Sequence, residues 1–275
     1  MNTKVINNYT RLKPSLFLIP IVLLILIGFF LYYKNALNVE NYIGIQKNLF
    51  LYLNHNLGRF PVLQYNLTQL GDASISFSFL IVLIVFTPKL WESLFSASLV
   101  SLIFSFILKN LFKVPRPATF LKSDDFIIIG KKAIGFASLP SGHSMTAFAT
   151  ITVLLFAFMP KNKINKIMWI ILLILFGFSI AFSRVGVGAH YPLDVTIGSI
   201  IGFTAGLLGI FISQKYKICN WMNTKKCYPL FMVFIIVCSV TIILKLINEN
   251  LIVYYFALIS LFVSLYKISY AYFKK

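Results

Sequence analysis

Long apolar runs, broken by short polar segments, dominate the chain. Runs near residues 15–33, 69–87, 92–112, 143–159, 167–183, 191–213, 229–247 and 251–271 are each nearly free of charge. The hydrocarbon core of a bilayer takes roughly 20 residues of helix to cross. The pattern therefore predicts an all-α, polytopic membrane bundle of about eight transmembrane helices. The first run, after MNTKVINNYTRLK, is too long for a cleaved leader and no small-residue cleavage site follows it, so it reads as a retained helix. Residues 34–68 mix polar and aromatic side chains and read as a loop, with His55 a surface or interfacial residue.

Composition agrees. With 59% hydrophobic and 12% charged residues, the 275-residue chain suits lipid better than water. Cys219, Cys227 and Cys238 have no metal-ligand spacing and read as packing residues or free thiols. The net charge of +18 does not point to nucleic acid, because the basic residues are spread over short loops rather than one soluble face. Lys161, Lys163 and Lys166 fall in one acid-free loop, and Lys215, Lys217, Lys225 and Lys226 in another. Lys4, Arg11 and Lys13 precede the first run, and Lys274 and Lys275 end the chain. Eight spans put all four segments on one side, which the positive-inside rule makes cytoplasmic.

Topology does not explain the remaining cations. Lys109, Lys113 and Arg116 lie in KNLFKVPRP at the exit of the third span, and Arg184 lies in SRVGVGAH between the fifth and sixth. Taken singly, each fits snorkelling to lipid headgroups. Together, retained against the topological bias, they suggest an anionic ligand. His143 opens span four and His190 opens span six, so counting spans brings both to the same face as the cations. Ser141 and Gly142 suit a helix start, as does Pro192, so both histidines should lie near helix N-termini that favour an anion. Asp194 follows His190 by four residues. On a helix these are neighbours, and a carboxylate that accepts one imidazole proton leaves the other nitrogen free as a nucleophile.

Three blocks carry a family resemblance. Lys109 with Arg116-Pro117 fits K-x6-R-P, residues 140–143 read P-S-G-H, and Ser183 to Asp194 fits S-R-x5-H-x3-D. In this order the chain resembles the type-2 phosphatidic acid phosphatases, a group akin to bacterial acid phosphatases and vanadium haloperoxidases, over about residues 70–213. The resemblance implies a six-helix catalytic core in which His190 attacks phosphorus, Asp194 orients it and His143 protonates the leaving oxygen. It further implies that Lys109, Arg116, Ser141, Gly142 and Arg184 hold the phosphoryl oxygens, with no metal or other cofactor. The expected division is an N-terminal helix and loop (1–68), a catalytic core (69–213) and two added C-terminal helices (214–275). The implied partner is a lipid phosphate in the bacterial inner membrane, with the site facing the periplasm or exterior. Undecaprenyl pyrophosphate and lipid A phosphates lead the candidates, ahead of phosphatidic acid and phosphatidylglycerol phosphate. A lipid phosphotransferase would use the same histidine. An anion transporter would instead favour ionisable or broken-helix residues near the membrane middle. Residues 118–139, with Lys122, Lys131 and Lys132, are expected to roof the site.

Overall fold

The structure, a computed structural model, describes residues 1–216 and 228–273. Lys217, Cys219, Lys225, Lys226, Cys227, Lys274 and Lys275 lie outside the described residues. Every regular element among those described is helical: α1 (Asn2–Tyr9), α2 (Leu18–Tyr33), α3 (Val39–Gly58), α4 (Pro61–Gln69), α5 (Ala73–Leu80), α6 (Pro88–Phe112), α7 (Pro117–Phe120), α8 (Gly142–Ala157), α9 (Lys163–Gly186), α10 (Pro192–Tyr216), α11 (Tyr228–Glu249) and α12 (Ile252–Phe273), with three short 3-10 turns. Six of these, α2, α6, α9, α10, α11 and α12, are long and apolar enough to cross a membrane. The chain is a multi-pass membrane bundle.

Two of the eight expected spans differ from the pattern reading. The run at 69–87 is not one straight helix: Pro61–Gln69 and Ala73–Ile84 meet at a bend of 73°. The break has a local cause, since Asp72 Oδ1 accepts from the Ser74 N–H at 2.8 Å and so caps a new helix there. The span expected at 143–159 is α8, of 16 residues. At 1.5 Å per residue that is about 24 Å, short of the roughly 30 Å hydrocarbon thickness.

Residues 34–68 correct the expectation of a loop. Asn38 accepts from Asn41 N–H at 2.8 Å and starts α3. A stripe of Tyr42, Gln46, Phe50 and Asn54 recurs every fourth residue and is buried, the spacing of one helix face. Its polar members hid it among the apolar runs.

Packing centres on α6, α8 and α10. Within its apolar window α10 is 61% buried, whereas the first span is only 6% buried by the rest of the protein. Glycines on α10 allow the close approach: a Cβ at Gly198 would lie 2.7 Å from the Ser141 carbonyl oxygen, and one at Gly206 2.6 Å from Thr152 Cβ. At the far end of the bundle Lys89 pairs with Glu92 at 2.8 Å and donates to the Ser213 carbonyl, tying α6 to α10. There too α1 docks on α8, with Asn8 Nδ2 donating to Ala157 O at 2.9 Å and Tyr9 OH to Val153 O at 3.1 Å. The α11–α12 hairpin packs on α5, and Cys238, on α11, is a buried free thiol.

Candidate active site

The close packing of α8 on α10 brings together residues from distant parts of the sequence. Ser141 is the N-cap of α8 and Gly142 its first residue. Ser141 N–H donates to the Asp194 carbonyl oxygen at 3.1 Å, so the second and third motif blocks are joined through backbone. Lys109, in the last turn of α6, holds its amine 3.4 Å from where a Gly142 side chain would begin. Arg116 caps α7, and its backbone N–H donates to Gly135 O at 2.9 Å.

Arg184 ends α9. Its Nη1 donates to Thr68 Oγ1 at 2.7 Å, while its buried Nε has no partner among the described residues. A guanidinium with a buried, unused donor suits an incoming anion oxygen.

His190 precedes α10 rather than lying in it and is 1% exposed. Its Nδ1 is 3.7 Å from Asp194 Oδ2, beyond hydrogen-bond range. The direct pair expected from four-residue spacing is therefore stretched, because His190 sits ahead of Pro192 and not on the helix. Ser138 fills the gap. Its Oγ donates to Asp194 Oδ2 at 2.6 Å and lies 3.4 Å from His190 Nδ1, and its backbone also hydrogen-bonds the imidazole. The Asp194 carboxylate further accepts from Tyr42 OH at 2.8 Å and Tyr191 N–H at 3.0 Å. With Nδ1 turned to this network, Nε2 is the free nitrogen. Burial pushes the His190 imidazolium below its ordinary range, and Arg116, Arg184 and Lys109 push the same way. The ring is thus held neutral, the form with a lone pair to give.

All eight residues expected at the site fall at one end of the bundle, on the loops and helix ends that meet there. Sequence reasoning missed Ser138, Tyr42, Thr68 and Gln46. Gln46 Oε1 accepts from Leu193 N–H at 3.0 Å and so caps α10 from α3. Ser138 had a signal, a polar residue two positions before the P-S-G-H block; Tyr42 and Gln46 had only the stripe on α3.

The segment from Ala118 to Leu139 lies over α3 and the 185–188 turn. Asn54 holds it, accepting from Ile127 N–H at 2.7 Å and donating to the carbonyls of Ile127, Val185 and Gly186 at 2.9, 3.0 and 3.2 Å. Lys122, Lys131 and Lys132 are exposed on it, and Lys132 Nζ donates to Ser123 Oγ at 2.7 Å. His55 is exposed on α3 beside Arg59. Among the described residues no three His, Cys, Asp or Glu side chains converge as a metal set.

The chain is similar to several known proteins. The chain is 32% identical over 91 residues to a lipid A 4'-phosphatase of Bacteroides thetaiotaomicron, a match covering 33% of this chain and 37% of that protein. It thus spans little more than a third of that relative's length. An undecaprenyl-diphosphatase of Sulfolobus acidocaldarius is 27% identical over 197 residues, covering 70% of this chain and 90% of the relative. Among solved structures, that of Aquifex aeolicus LpxE superposes with a TM-score of 0.50 at 27% identity, covering 61% of this chain and 95% of LpxE. Residues 89–219 match the PAP2 superfamily, a range that begins later than the resemblance at 70–213 and contains all three motif blocks. Over this range the chain is similar to the PAP2 superfamily.

Proposed function

We propose that the protein is a lipid phosphatase that hydrolyses a phosphate or pyrophosphate group of a membrane lipid, releasing its terminal phosphate through a phosphohistidine on His190. The observation that carries this is the convergence of Lys109, Arg116 and Arg184 on the N-termini of α8 and α10, beside a buried neutral imidazole. Helix N-termini and cations together favour a phosphoryl group. Nε2 of His190 attacks phosphorus, an N–P bond forms and the P–O bond to the lipid breaks. His143 gives its proton to the departing oxygen. Water then attacks phosphorus, His143 takes the water's proton, and inorganic phosphate leaves as the N–P bond breaks. Ser138, Tyr42 and Asp194 hold the imidazole throughout. Donors aimed at the developing charge contribute on the order of 3 kcal/mol each in comparable anion holes. The cations take the place a metal ion would have, so the reaction proceeds without one.

Relatives of both kinds, a lipid A 4'-phosphatase and an undecaprenyl-diphosphatase, support this substrate class. Either lipid would reach the site from the outer leaflet, at the face opposite the lysine loops. The test is phosphate release by purified protein from lipid A phosphates, undecaprenyl pyrophosphate and phosphatidic acid, in chelator. Phosphate release is expected, with vanadate inhibiting and His190→Ala inactive though folded. Turnover restored only by added magnesium or zinc would refute the metal-free route. Activity in a well-folded His190→Ala protein would remove the phosphohistidine.

A further inference from the structure

We infer that Lys245, on a helix beyond the matched domain, is a positioning residue for His143, acting through Asp72 and the bend at Gly71. The inference rests on the phosphatase reading and assigns a role to the C-terminal hairpin within it.

Three contacts form the chain. Lys245 Nζ lies 3.1 Å from Asp72 Oδ2, with the two side chains 35% and 30% exposed. Asp72 uses its other oxygen to cap α5, so one carboxylate both starts the new helix and anchors α11. Gly71, its neighbour, lies directly against His143: a Cβ there would stand 2.9 Å from His143 Cβ and 3.1 Å from its carbonyl oxygen. The bend is thus the wall behind the imidazole.

A second link ties the same hairpin to the same wall. Val253 N–H, at the start of α12, donates to Asn66 Oδ1 of α4 at 3.0 Å. Two residues on, Thr68 accepts the Arg184 guanidinium. Broken helix α4–α5 is a wedge with catalytic residues on one side and the hairpin on the other.

Charge gives Lys245 a second task. Asp72 is felt electrostatically by both His143 and Arg184. A carboxylate without its lysine has those two groups to turn towards, and either move would spoil the phosphate site. The other charges that reach His143 are Arg184, His190 and Arg116, all of which belong to the site itself. Lys245 keeps the acid outside.

A misplaced general acid has a signature that ordinary destabilisation lacks. It slows departure of a strongly basic alkoxide and spares a weakly basic phenolate, which leaves unprotonated. The experiment compares kcat/KM of the full chain on a long-chain alkyl phosphate and on nitrophenyl phosphate. Lys245→Met should lose about 10- to 100-fold on the alkyl substrate and much less on the aryl one, with Lys245→Arg restoring both. Asp72→Asn keeps the cap acceptor and carries the same expectation if Lys245→Met does not survive extraction. Equal losses on both substrates, or no loss in a folded variant, overturn the positioning role. A wild type that releases no phosphate from either substrate sinks the phosphatase reading, and this inference with it.

Discussion

At the scale of single residues, the site depends on who holds Asp194. The carboxylate is fully buried and bonded to Ser138, Tyr42 and the Tyr191 amide, while His190 stands 3.7 Å away. An ionised carboxylate in such a place costs much unless its lone pairs are satisfied. Ser138 is also the group next to His190 Nδ1, so its removal both unsatisfies the acid and loosens the ring. A hydrogen bond to a charged group is worth about 1.5–3 kcal/mol, or about 10- to 100-fold in rate. Ser138→Ala should lower kcat by that order with KM little changed, measured as phosphate release. Tyr42→Phe, which leaves the ring contact intact, should lower it less. A wild-type rate in Ser138→Ala would mean that Asp194 alone orients His190. The motif residues were legible in sequence because helix lengths bring their ends to one face. Ser138 was not, because its role depends on His190 lying before the helix rather than on it, a matter of one proline's placement.

At the scale of elements, the α8–α10 contact is the frame of the site. His143 lies in the first turn of α8 and Asp194 in the first turn of α10, and the glycines between these helices set their distance. Gly206→Val forces branched carbons against Thr152 and the Ala149 carbonyl, which a Cβ alone would approach to 2.9 Å. Overpacking of this kind costs about 1–3 kcal/mol and should lower the melting temperature in detergent. It should also lower activity out of proportion, by parting two halves of one site. Gly28→Val supplies the control, since nothing lies within 4 Å of a Cβ there, and it should leave both unchanged. Of the eight apolar runs expected to span, six are helices long enough to cross a membrane. The elements missed are those whose pattern is mixed: α3, with its buried polar stripe, and the wedge α4–α5, broken at Asp72. These carry Tyr42, Gln46, Thr68 and Gly71, so the wall of the site escaped the pattern that revealed its floor.

At the scale of the whole molecule, charge is divided between the two ends of the bundle. Of the seven acidic residues, Glu92 alone lies at the lysine end, and there Lys89 pairs with it at 2.8 Å. The loop at Lys161, Lys163 and Lys166 holds no acid. The site end carries Glu40, Asp72, Asp124, Asp125, Asp194 and Glu249, together with the cations that face the motif blocks. Basic loops are retained on the cytoplasmic side, whereas acids contribute little to orientation. The lysine end should therefore be cytoplasmic and the site should face outward. Cysteines placed singly at Lys163 and at Lys131, in a chain whose three native cysteines are replaced, would report this in intact cells. An impermeant thiol reagent should label position 131, which is exposed on the segment over the site end, and leave position 163 unlabelled until the membrane is opened. The reverse pattern would put the site in the cytoplasm. That would leave the chemistry at His190 intact but deny it lipids of the outer leaflet, and with them the substrate class proposed above.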